Sequence, residues 1–159
     1  MIQPKTQAEA RKRLSSLEAE MEEIKSFLLK QTSVNIMERV KTFDDALEIY
    51  KQDHDISSDM QAILDYKGND TGMIAMQGFA QINIIRAVLN EGWAPNWYNE
   101  NEYKYYPWFK MFASGLSYDD CIYARLNSVV GSRLCYKSLD LAKYAGTQFI
   151  DIYQKFYTI

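Results

Sequence analysis

The sequence predicts an α+β protein: an N-terminal coiled-coil helix, a helical middle, a small antiparallel three-stranded sheet and a C-terminal helix. Three observations carry that reading. A heptad seam runs through residues 5–31, which contain neither Gly nor Pro. Residues 32–92 hold apolar faces at helical spacing between capping and breaking residues. Residues 93–137 turn aromatic and are punctuated by Pro95, Pro107 and Gly115, as strands bounded by turns are. The domain boundaries expected are 1–31 for the oligomerisation helix and 32–159 for the α+β domain. Within the latter, 32–92 is helical, 93–137 is the β-meander and 138–157 is the last helix.

The N-terminal helix comes first. Ala10, Leu14, Leu17, Met21, Ile24 and Leu28 are separated by alternating steps of four and three. With Leu14, Met21 and Leu28 at a and Leu17 and Ile24 at d, the flanking positions pair Arg13 with Glu18 and Glu20 with Lys25. Opposite charges at both pairs favour parallel chains in register. Arg13-Leu14-Ser15-Ser16-Leu17-Glu18 also resembles the short Arg-h-x-x-h-Glu trimerisation motif, so a parallel homo-oligomer, trimer preferred, is the expected assembly. The competing reading is an amphipathic helix laid on its own domain, which would ordinarily show a wider apolar stripe.

In the middle segment, Thr42 followed by Asp45 forms a capping-box pattern opening a helix at Phe43. Ser58 is the expected N-cap of the next helix, which Gly68-Asn69-Asp70 ends. A long helix from about Thr71 to Glu91 should stop with Gly92 as its left-handed terminator. Gly78 inside it points to close approach of another backbone, and Gly146 inside the last helix to a close contact. Three strands are expected at about 103–112, 117–126 and 130–137. A turn near Ser128 would set Cys121 opposite Cys135, as neighbouring buried thiols. Ser138 caps the final helix, whose buried face is Leu141, Ala145, Phe149, Ile152 and Phe156.

Composition narrows the function. The 159 residues include 18 basic and 21 acidic side chains, a net charge of −3. That balance does not suit a bulk nucleic-acid binder. One His and two Cys leave little for His/Cys metal sites, so no metal and no cofactor is expected. No run approaches the roughly 18 apolar residues of a membrane span, and the polar N-terminus does not read as a secretory signal. The expected location is the host cytoplasm or a virion, with reduced cysteines and no membrane partner. Sequence signatures of phosphate loops, dinucleotide folds and nucleophile elbows are missing. His54 sits in a charged connection, and Asp119 and Asp120 on a strand would face opposite sides. No catalytic residue is assigned, and no enzymatic activity is expected.

The anomaly is aromatic content. Trp93, Trp97, Tyr98, Tyr103, Tyr105, Tyr106, Trp108, Phe109 and Phe112 fall within twenty residues. Alternation would place Lys104, Tyr106, Trp108 and Lys110 on one strand face, with Arg133 extending it. Three uses compete: a packed core with snorkelling lysines, a protein-binding face, and a stacking platform for RNA or nucleotide. The binding candidates are Trp97, Tyr98, Lys104, Tyr106, Trp108, Lys110 and Arg133. A protein partner, of host or phage, is favoured over RNA or nucleotide.

Ala87-Val88-Leu89-Asn90-Glu91-Gly92-Trp93-x-Pro95-x-Trp97 resembles a phrase found in short uncharacterised proteins of bacteriophages and prophages of gut bacteria. The same holds for Lys104-Tyr105-Tyr106-Pro107-Trp108-Phe109 and for Gly131-Ser132-Arg133-Leu134-Cys135-Tyr136-Lys137-Ser138, which continues to Phe149. The likeness covers about residues 36–156. It implies a phage or mobile-element origin and assigns no activity or catalytic residue. Combined with the residue reading, it points to a virion, assembly or adaptor part. The alternative is an inhibitor of a bacterial defence system, binding protein, RNA or a signalling nucleotide through the aromatic sheet.

Overall fold

The computed structural model describes residues 6–127 and 131–158, with backbone alone for 27–33 and Ser132. The chain divides into two compact units, residues 1–38 and 39–159.

The first unit is built on α1 (Gln7–Ser33), followed by the short α2 (Ile36–Arg39), whose last residue belongs to the second unit. Thr6 and Glu9 close a reciprocal capping box at the start of α1: the Glu9 N–H donates to the Thr6 hydroxyl, and the Thr6 N–H to the Glu9 carboxylate, each at 3.2 Å. Leu14, Leu17, Met21 and Ile24 all lie more than half exposed along this helix. The Leu28 side chain lies outside the described residues.

The second unit packs around one helix. α3 (Phe43–Asp53) opens on the Thr42–Asp45 capping box the sequence indicates. α4 (Ser58–Leu64) is capped by Ser57, whose hydroxyl accepts from the Met60 N–H; Ser58 is instead its first helical residue. α5 (Thr71–Leu89) is capped by Asp70 and runs through the centre, with Ile82, Ile85 and Leu89 essentially sealed from water. It packs on α3, α4 and the two C-terminal helices. That surround explains its largely apolar composition: by length and hydropathy it would span a bilayer, yet half of that stretch is buried in the fold.

α5 stops at Leu89, two residues before the expected end. Asn90 is the C-cap, its backbone still helical and its N–H donating to the Arg86 carbonyl; its buried amide nitrogen donates to the Cys135 carbonyl at 2.9 Å, and its oxygen accepts from the Lys137 N–H at 3.0 Å. Glu91 (φ 48°) and Gly92 (φ 79°) then reverse the chain in left-handed conformations. Glu91 is held there by the Lys137 ammonium at 2.7 Å.

Among the described residues the sheet has two strands, not the expected three. β1 (Lys104–Phe112) and β2 (Gly115–Ala124) form an antiparallel hairpin. The third strand, expected at about 130–137, is replaced by a single 3-10 turn at Ser132–Leu134 and one isolated bridge between Tyr136 and Tyr105. Gly131, at φ +70°, and the 3-10 turn that follows it interrupt the extended run, so only Tyr136 pairs with β1, while Asn90 binds the Cys135 carbonyl and the Lys137 N–H on the edge away from β1. Ser128, the expected turn centre, lies outside the described residues. The expected pairing of Cys121 with Cys135 does not form. Cys121 opposes Pro107 on β2, while the Tyr136 bridge lies on the other edge of β1, so β1 runs between the two cysteine segments.

The last helix is two. α6 (Leu139–Gln148), capped by Ser138, ends at Phe149 (φ −114°, ψ 29°), and α7 (Ile150–Tyr157) continues at a new angle. Phe149 is buried edge-on against Tyr144, which fixes the break. Both glycines that the sequence singles out are contact points. A Cβ on Gly78 would meet the Phe156 backbone nitrogen of α7 at 2.9 Å, and one on Gly146 would meet Pro107 of β1 at 2.6 Å. The Tyr136 and Tyr153 hydroxyls, both buried, bond each other at 2.9 Å beneath the hairpin.

Candidate binding surface

The hairpin is positioned by its inner half. Lys104 is fully buried, and its ammonium donates to the carbonyls of Asn96 at 2.7 Å and Glu102 at 3.0 Å. It also pairs with the Glu102 carboxylate at 3.1 Å and lies 5.1 Å from the Trp97 ring centre. Glu102 in turn accepts the Asn96 N–H at 2.7 Å. Lys104 is therefore the peg that closes the 96–104 loop, and Trp97 its aromatic cover. Lys104 does not form the open basic face expected of it, and the binding candidate Trp97 lies over its ammonium. Tyr106 is buried beside them. Tyr98, at the top of the loop, is 98% exposed.

Beyond Pro107 the ladder slips. Trp108 pairs with Asp120 but Phe109 with Tyr118, leaving Asp119 as the extra residue of a bulge. The Asp119 carboxylate accepts from the Lys110 ammonium at 2.6 Å, so Lys110 is neutralised within the hairpin. Phe109 turns inward onto Tyr153 (4.8 Å between ring centres) and Tyr157 (5.8 Å). Trp108, Met111, Phe112 and Ile122 are left exposed. A cavity of about 250 Å³ opens among them, lined by Tyr106, Trp108, Phe109, Met111, Ile122 and Tyr157, with Pro107 and Leu116 completing it. The structure thus converts the expected row Lys104–Tyr106–Trp108–Lys110 into a buried base and an apolar tip. Met111 and Ile122, to which the sequence pattern assigns no role, belong to that tip. The signal available is their place on the strands beside Trp108.

The remaining sequence candidates fall elsewhere. Arg133 is exposed on the 3-10 turn and faces a helical cavity rather than the hairpin tip. Just beyond β2, the side chain of Arg125 donates to the Tyr103 hydroxyl and stacks over that ring. His54 is exposed and stacks on Tyr50 at 4.2 Å. Asp120 accepts the N–H of its neighbour Cys121. Burial pushes the thiols of Cys121 and Cys135 up to about 11; for Cys135 the nearby charges of Arg86 and Lys104 offset part of that rise. Both therefore stay protonated at neutral pH and make poor nucleophiles. Among the described residues no group of three or more His, Cys, Asp or Glu side chains could hold a metal ion.

Compared with known proteins, the chain matches no family model, no curated protein and no solved structure.

Proposed function

We propose that this chain is a non-enzymatic adaptor or assembly protein of phage or mobile-element origin. α1 joins copies into a parallel homo-oligomer, trimer preferred, and each copy presents its hairpin tip to a protein partner. The observation that carries the reading is the tip itself: Trp108, Met111 and Ile122 stay exposed around an apolar groove, and Phe112 is exposed at the end of the same strand, in a chain that buries Tyr106, Tyr136, Phe149 and Tyr153. Exposed apolar clusters of this kind mark interaction sites, and Trp is among the residues most enriched at their energetic centres. The partner chemistry that fits is an apolar or aromatic peptide segment. The exposed Leu14, Leu17, Met21 and Ile24 support self-association through α1, with Arg13 and Glu18 at its flanks. The alternative, a defence inhibitor reading RNA or nucleotide across the sheet, needs a basic row. It has less support, because Lys104 is buried and Lys110 is paired.

Light scattering on the purified chain tests assembly. A trimeric mass is expected, falling to a monomer in Leu17→Asp/Ile24→Asp; a wild-type monomer at tens of micromolar overturns it. The ratio of absorbance at the nucleic-acid and protein maxima tests the alternative. A protein-like ratio is expected, and copurifying RNA or nucleotide favours the inhibitor.

A further inference from the structure

A second cavity, of about 400 Å³, lies in the helical half of the same unit, between α3, α4 and α5. Its volume falls within the range of small-molecule sites, roughly 300–1,000 Å³. Its walls are mainly apolar: Met60 and Ile63 from α4, Met76, Phe79 and Ile84 from α5. Two arginines share its lining, Arg86 of α5 and Arg133 of the 3-10 turn packed on α5. Among the described residues neither has a carboxylate within ion-pairing distance, whereas four of the lysines do. Arg86 is also partly withdrawn from water, and its Nε is buried without a hydrogen-bond partner. One turn earlier, the Asn83 Oδ1 is in the same condition. An arginine held partly dry without a counter-charge is costly. An anion seated on the guanidinium would remove that cost, and the apolar walls would take an apolar body.

From this geometry we infer that the cavity is a binding site for an amphipathic anion. Its carboxylate or phosphate head lies on Arg86 and Arg133, and its alkyl body lies along Met60, Ile63, Met76 and Phe79. Arg86 is the anchor because it is half-sheltered by the fold, where a charge pair is screened least. Arg133 is exposed and adds a weaker, salt-sensitive attraction. Asp55, also in the lining, disfavours a second negative charge at the α3–α4 end and so orients the molecule with its head toward the arginines. This site is separate from the hairpin tip and does not depend on it.

Calorimetric titration of the full chain tests the inference, with dodecanoate and dodecyl phosphate kept below their micelle thresholds. Inorganic phosphate and adenosine monophosphate serve as probes with no body and with a polar body. Both dodecyl anions should bind, at least roughly tenfold more tightly than inorganic phosphate, and should raise the melting temperature. Preference for the carboxylate points to a free fatty acid, and preference for the phosphate to a phospholipid-type head. Arg86→Gln should weaken both by roughly tenfold or more, Arg133→Gln by a smaller factor. Met76→Ser should weaken the dodecyl anions and leave inorganic phosphate unchanged. Trp108→Ala should change nothing, since that residue belongs to the other groove. The inference is overturned if neither dodecyl anion binds at roughly millimolar concentration, or if adenosine monophosphate binds more tightly than both. Unchanged dodecyl binding in the exposed-site variant Arg133→Gln together with a folded Arg86→Gln overturns it equally.

Discussion

At its base, β1 runs Lys104-Tyr105-Tyr106-Pro107 into the fold; at its tip it runs Trp108-Phe109-Lys110-Met111-Phe112 out to solvent. The two halves have the same kind of composition, aromatic residues interleaved with one lysine. Their burial is opposite, and the two lysines show why. Lys104 meets two carbonyls, a carboxylate and an indole ring, which together replace its water. Lys110 meets one carboxylate and remains exposed. Between them sits Pro107, against the bare backbone of Gly146, and just past it the slip that leaves Asp119 unpaired in the ladder. Burial along this strand follows what α6, α7 and the 96–104 loop supply, and residue type alone does not set it.

The contrast can be broken most severely at the base. Lys104→Ala leaves the Asn96 and Glu102 acceptors without their cation and is expected to cost about 3 kcal/mol of folding stability, read by urea melts. A change within experimental error would mean that Lys104 is an ordinary surface residue. At the tip, Trp108→Ala should lower partner affinity by about 2 kcal/mol while leaving the urea midpoint nearly unchanged. Equal losses in both assays would merge the two halves into one core. At the junction, Gly146→Ala presses a methyl into Pro107 and Tyr118 and should destabilise by about 1–2 kcal/mol. A neutral result there would show that the hairpin rides loosely on α6.

The smallest effect sharpens the comparison from outside the hairpin. Asp45, at the start of α3, accepts the Thr42 and Lys41 N–H groups, and these bonds with the Thr42 hydroxyl hold its carboxyl below the usual aspartate value. The unfolded chain therefore binds its proton first as pH falls. The contribution is complete above the ordinary aspartate pKa and is lost as pH drops through the lowered folded value. Melting temperature should decline over that acid range, and Asp45→Asn should flatten the decline slightly. A steeper decline in the variant would reverse the assignment.

Features set by near neighbours in the chain are legible in the sequence. The Thr42–Asp45 box, the Ser138 cap, the Asp70 break, the β1 and β2 segments and the close approaches at Gly78 and Gly146 all depend on local hydrogen bonding or on a missing Cβ. The cap of α4 falls on Ser57, one residue before the expected Ser58, because two adjacent serines offer the same hydroxyl. The expected single C-terminal helix is divided because the Phe149 break comes from packing on Tyr144, with no Pro to announce it.

Periodicity and composition, which the chain carries along its length, specify most of the elements, the heptad seam with its charge pairs, and the surplus of aromatic residues in 93–112. Tertiary structure alone decides which aromatics face water, that Lys104 is a buried peg, and that Asn90 ties the end of α5 to the Cys135 and Lys137 backbone. It also decides that Arg86 and Arg133, 47 residues apart, line one cavity. These outcomes rest on contacts between distant segments, where desolvation and hydrogen-bond competition act on groups that sequence spacing does not bring together.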